Sequence, residues 1–165
     1  YWQGCMTPHW DSAARGVIAG LSGSTRRGDV YRALLEGIAL DQAFALSRAE
    51  AATGSPIDHF VAIGGGASSD LWAQILADVT ARPVRRSTAT EASSLGAAMA
   101  AAGGAGWYST LAQAAAAMAS RTVRTFEPDT PRGARYADLR AIHSDLWPVL
   151  SAWNRRLSDF VEAGA

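Results

Sequence analysis

The sequence predicts an α/β fold: a short, mostly parallel sheet with helices on both faces and a long C-terminal helix. Three observations predict it. An apolar run, His59 to Ile63, closes on Gly64, Gly65 and Gly66, the pattern of a buried strand that turns into a helix. Strand-like and helix-like segments alternate around that run, and such alternation gives parallel strands joined by right-handed crossovers. From Tyr136 to Phe160 apolar residues recur every three or four places, the period of one helix face.

Residues 1–15 hold Trp2, Gly4, Pro8, Trp10 and Asp11 without a sustained period and read as loop. Gly16 to Leu21 reads as a strand, with Val17, Ile18 and Leu21 apolar and Gly20 permitting close backbone approach. After a turn over Ser22 to Gly28, Asp29 is the expected N-cap of a helix carried by Val30, Leu34 and Ile38 to about Thr53. Gly54, Ser55 and Pro56 end it. Ser69 caps a second helix reaching about Ala81, with Leu71, Trp72, Ile75, Leu76 and Val79 turned inward, and Pro83 to Arg86 is a short strand.

Thr88 and Glu91 stand at capping-box spacing and start a third helix to about Ala102, with Gly96 explained by close packing of helix on sheet. Gly103, Gly104 and Gly106 stop it. Ser109 or Thr110 starts a short helix to about Ala119, and Thr122 to Phe126 is an edge strand. Thr130 and Pro131 form an N-cap and N1 pair before the C-terminal helix, which Pro148 kinks or splits. The series supplies only three parallel strands, so a sheet edge is left where earlier strands belong.

The chain has 165 residues, enough for one hydrophobic core and too few for a two-lobed enzyme. Its 15 basic and 15 acidic residues cancel, so neither nucleic acid nor an anionic membrane is implied as a partner. All the basic residues are arginine, and a Walker-type phosphate loop, which needs a lysine, is excluded. Cys5 is the only cysteine, so no internal disulfide forms and a cytoplasmic setting fits. No signal peptide or membrane span is read in the sequence. The abrupt start at Tyr1 suggests part of something longer.

The stretch from Phe60 to Trp72 is the most informative. A strand that runs into glycines and then a helix places bare backbone at the carboxyl edge of a sheet, where open α/β folds bind ligands. Without Cβ atoms at Gly65 and Gly66, a flat ring or a ribose has room to lie on the main chain, and a helix N-terminus follows with free amides. Asp70, four residues after Gly66, is within reach of the same ligand. Glycine turns also serve tight packing, and Ser69 stands where a dinucleotide fingerprint has its last glycine.

Gly16-Val17-Ile18-Ala19-Gly20-Leu21 followed by Asp29-Val30-Tyr31-Arg32-Ala33-Leu34-Leu35-Glu36 resembles the C-terminal signature of the FGGY carbohydrate kinases, in residues and in spacing. Thr7-Pro8-His9-Trp10-Asp11 with Ala14-Arg15-Gly16 is similar to the family's block upstream, with His9 replacing a tyrosine. Gly64-Gly65-Gly66-Ala67 resembles its adenosine motif, Gln74 to Asp78 the helix behind it, and Thr90 to Ala98 the next helix. The resemblance runs collinearly from residue 1 to about 128, closest to the xylulokinase-like branch.

The resemblance implies an incomplete ribonuclease H-like domain of the actin-like ATPase class, over residues 1–128, with residues 129–165 as a helical segment packing on it. It implies transfer of the γ-phosphate of Mg-ATP to a sugar or polyol hydroxyl, with Gly64, Gly65, Gly66, Ala67 and Ser68 lining the adenosine wall. Asp70 stands where many members carry an asparagine that hydrogen-bonds adenine. The catalytic base, the magnesium ligands and most sugar contacts belong to an N-terminal lobe outside this chain, so the chain alone is expected to be inactive. A homodimer is compatible with it. Alternatives are a non-catalytic interaction module that keeps the fold, and another actin-like ATPase.

Other polar residues read as structural. Asp11 and Arg15 are spaced for a local ion pair, and Glu36 for a buried acceptor or a carboxylate facing the cleft. His9, His59 and His143 lack metal-ligand spacing. Arg82, Arg85 and Arg86 read as a solvated strand end. The Tyr136 to Phe160 stripe reads as core.

Overall fold

The computed structural model describes Cys5 and residues 9–89, 91–119 and 121–164. Trp2, Gly4, Thr7, Pro8 and Thr90, named above, lie outside the described residues. Along the chain the elements are α1 (Arg27–Thr53), β1 (Phe60–Ala62), α2 (Asp70–Thr80), β2 (Val84–Ser87), α3 (Ala92–Gly104), α4 (Leu111–Met118), β3 (Thr122–Phe126), α5 (Thr130–Ser144) and α6 (Leu146–Ala163). They divide into two compact units: Asp58–Asp129, and the segments up to Ile57 and from Thr130 onward.

The Asp58–Asp129 unit is built on a sheet of order β1-β2-β3. β1 and β2 are parallel, with Phe60 opposite Val84 and Ala62 opposite Arg86. β3 runs antiparallel to β2, with Val84 opposite Phe126 and Arg86 opposite Arg124. The sheet is therefore mixed, one parallel and one antiparallel pairing. Gly16 to Leu21, expected as a strand, is irregular backbone: Gly20 takes φ +82°, which turns the chain out of extended geometry, and Val17, Ile18 and Leu21 are exposed.

Ala73 and Ala77 of α2 bury against Val84 and Phe126, with Phe60, Ala62 and Leu76 packed around them. Small residues on this face let helix and sheet approach closely. Leu71, expected inside, is half exposed; it lies about 200° around the helix from Ala73, which puts it on the opposite side. Asp78 is buried and accepts from the Gln74 side-chain nitrogen and the Asp129 backbone N–H, each at 2.8 Å, while Gln74 also donates to the Glu127 carbonyl. The Gln74–Asp78 motif thus holds the segment leaving β3 against α2.

The capping box expected at the start of α3 does not form, because Thr88 Oγ1 accepts from the Arg121 N–H and extends the sheet. Gly96 has open space where a Cβ would stand, so packing on the sheet does not explain it. Thr110 caps α4, its side chain accepting from the Gln113 N–H at 3.2 Å.

In the other unit, Arg26 is the residue capping α1, and Asp29 sits at N3, accepting from the Arg26 backbone N–H at 2.8 Å rather than acting as N-cap. Glu36 is a structural acceptor: the hydroxyl of buried Tyr136, on α5, donates to it at 2.7 Å, as does Arg32 Nε. The C-terminal helix is split at Asp145, and Pro148 falls in the first turn of α6, where its missing N–H leaves no intrahelical bond unmade.

Asp11 and Arg15 do not pair. Asp11 accepts from the Ala13 N–H at 2.8 Å and lies 3.5 Å from Arg155, whereas Arg15 donates to Ser158 on α6 at 2.8 Å. The apolar stripe is only partly core: Tyr136 is buried, while Ile142, Val149 and Phe160 are exposed.

Candidate functional site

β1 ends at Ala62, and the chain turns at Gly64, whose φ of 78° with ψ of −175° belongs to glycine almost alone. A single 3-10 turn follows over Gly65–Ser68, closed by the Ala67 N–H donating to the Gly64 carbonyl at 3.1 Å and by the Ser68 hydroxyl donating to the Gly65 carbonyl at 2.7 Å. Ser69 then caps α2 by accepting from the Trp72 N–H at 3.2 Å, and Asp70 is the first helical residue. Strand, glycine turn and helix start thus lie at the carboxyl edge of the parallel β1–β2 pair.

The glycines differ. A Cβ at Gly64 or Gly65 would meet nothing within 4 Å, so that side of the backbone is open. At Gly66 it would lie 3.8 Å from Nε1 of the Trp72 indole. Ala67 is buried, so its methyl packs inward, and Ser68 is exposed.

Asp70 is not free-standing. One carboxylate oxygen accepts from Arg86 Nη2 at 2.7 Å and the other from Arg124 Nη1. The hydrogen bond from Arg86, with the Arg124 charge beside it, holds the carboxyl below the usual carboxylate range, so Asp70 is an ionised acceptor. Both guanidinium groups lie over the Phe126 ring, Arg86 at 4.9 Å and Arg124 at 4.6 Å from its centroid. Reading Arg86 as a solvated strand end missed this. Strand alternation was the available signal: Val84 and Phe126 face the core, so Arg86 and Arg124, two places along each strand, share that face. Arg85 is on the other face, 3.3 Å from the ring of His59.

Among the described residues no group of three or more His, Cys, Asp or Glu is placed to hold a metal ion, and no helix is long and apolar enough to cross a membrane.

The mixed sheet and the open glycine turn before a helix belong to the actin-like ATPase fold of solved sugar kinases. Two solved structures share it: gluconate kinase from Lactobacillus acidophilus, with TM-score 0.77, 23% identity, and coverage of 90% of this chain and 30% of that one; and Plasmodium falciparum glycerol kinase with ADP, with TM-score 0.66, 25% identity, and coverage of 83% and 28%.

The FGGY family of carbohydrate kinases, C-terminal domain, matches residues 1–105, and the chain belongs to that family. It is 39% identical over 156 residues to a glycerol kinase from Bordetella parapertussis, covering 92% of this chain and 29% of the relative. It is 32% identical over 162 residues to the xylulose kinase of Bacillus subtilis, covering 97% and 32%. The chain therefore spans about a third or less of the curated relatives it matches.

Proposed function

We propose that this chain forms the adenine-nucleotide wall of a carbohydrate kinase, and that the whole protein transfers the γ-phosphate of ATP to a sugar or polyol hydroxyl. One observation carries the reading: at Gly64 and Gly65 the backbone is open, at the carboxyl edge of a parallel strand pair and one turn before a helix N-terminus. A nucleoside fits there because nothing stands where the two Cβ atoms would be. Gly64, Gly65 and Gly66 form the surface, and Asp70 stands at its rim. Ala67 supports it from beneath. A solved glycerol kinase similar over 83% of this chain was determined with ADP, which accords with use of an adenine nucleotide.

Magnesium arrives with ATP and offsets phosphate charge; no residue of this chain is assigned to hold it. The relatives' names span glycerol and xylulose, so the acceptor is a polyol or a ketose. Use of ATP as donor goes with a cytoplasmic setting.

Calorimetry of the chain with ADP and with Mg-ATP tests the reading. The wild type is expected to bind, and Gly65→Leu to keep its melting temperature while losing binding, since the new side chain fills the open side. Equal affinity in the two proteins, or no heat in either, overturns it.

A further inference from the structure

Ile142 on α5 and Leu146, Val149, Trp153 and Phe160 on α6 are exposed apolar side chains, Val149 and Phe160 at 71% and 76%. At about 100° per residue the five fall within about 60° of one another, the narrow seam of a helix that packs on another helix. The seam continues through the split, because Asp145 keeps right-handed helical dihedrals, φ −80° and ψ −12°. His143, Ser144 and Trp147 accordingly line one small cavity on the opposite side. Asn154 and Ser158, also on that opposite side, are buried, so the seam points away from the core of its unit. Asp145 and Arg156 flank the seam along one edge. Both are exposed, and neither side chain makes a hydrogen bond or ion pair among the described residues.

We propose that a second copy of this chain covers the seam, the two α5–α6 arms running antiparallel about a two-fold axis at Ser151. That register sets Val149 against Trp153 and Ile142 against Phe160, each contact made twice. Beside Phe160, Val161, Ala163 and Gly164 line an apolar groove that receives Ile142 of the second copy. Leu146 of one copy lies against the stem of Arg156 of the other, whose guanidinium reaches the adjoining Asp145. Two charges without a partner in one copy thus find partners in the other, whereas a parallel pair would set each charge against its own kind. The chain's net charge of zero puts no field in the way of association. Two such seams cover roughly 1,000 Å² together, the lower bound of a specific interface, so a micromolar dimer is expected.

Sedimentation velocity of the chain tests this. Wild type is expected to pass from monomer to dimer between about 1 and 100 μM. Trp153→Asp and Val149→Glu, both at exposed positions, should stay monomeric over that range with wild-type helix content by circular dichroism. Arg156→Asp and Asp145→Arg should each raise the dissociation constant about tenfold or more, by setting like charges together. The protein carrying both changes has the pair in reversed order, and its dissociation constant should return to within about threefold of wild type.

That rescue separates a second copy from any other occupant of the seam. A wild-type monomer at about 100 μM overturns the proposal and leaves the seam to the rest of the kinase. A dimer that survives Trp153→Asp and Val149→Glu, or a doubly changed protein no tighter than the single variants, overturns it as well.

Discussion

Arg86 and Arg124 stand directly opposite each other in the β2–β3 ladder, and both guanidinium groups lie over the ring of Phe126. Like charges facing each other across a ladder repel. Asp70 resolves the repulsion by accepting one arginine on each of its oxygens. Asp70→Asn is therefore expected to lower the melting temperature at low salt, and the deficit should shrink at about 1 M salt, where the Debye length is about 3 Å. Asp70→Asn with Arg124→Gln should recover part of the loss. Thermal melts of the three proteins at two salt concentrations measure it, and an Asp70→Asn deficit that grows with salt would refute the electrostatic account.

α2 ends on Ala81 in the left-handed conformation, φ 54°, where glycine is the usual residue. The side chain is exposed and gives up no packing when removed. Ala81→Gly is expected to stabilise the chain by about 1 kcal/mol, the cost of holding a Cβ in that conformation. Denaturant midpoints compare the two proteins, and a destabilised variant contradicts the prediction.

Gly64 has the opposite sensitivity. Open space surrounds the position a Cβ would take, yet the backbone conformation strains any L residue. Gly64→Ala should cost roughly 1–3 kcal/mol in chemical denaturation although nothing collides. Gly65→Ala, in the same open space with an ordinary φ, should cost far less. Equal costs at the two positions would mean that the turn is not under conformational demand.

The elements that the sequence made legible are those whose signals are local. The glycine run after Ile63, the serine ahead of α2 and the proline in the first turn of α6 each constrain the backbone where they stand. The family signature likewise identified the fold, because its residues lie close together in the chain. What stayed hidden depends on distant segments. Gly16 to Leu21 has the composition of a strand, but pairing needs a neighbour, and none of the described residues pairs with it. Thr88 is spaced for a capping box, yet Arg121, far along the chain, takes its hydroxyl. The clamp on Asp70 joins α2, β2 and β3, so only the sheet register brings Arg86 and Arg124 together.

His143 yields a prediction with a definite sign. Burial holds its imidazole below the usual histidine range, and the nearby Asp41 carboxylate counteracts this only in part. The folded chain therefore resists a proton that the unfolded chain takes up at an ordinary pKa of about 6.5. Below that pH the unfolded state binds more protons, so stability falls as pH drops through it and is regained above it. Asp41 acts in the other direction in its own range: burial raises its pKa, and stability declines as pH rises through the carboxylate range. Between about pH 7 and pH 5 it is the histidine that titrates in the unfolded chain. Melting temperatures across that interval should fall in the wild type and fall less in His143→Gln. Parallel curves for the two proteins would show that the imidazole is as easily protonated in the fold as out of it.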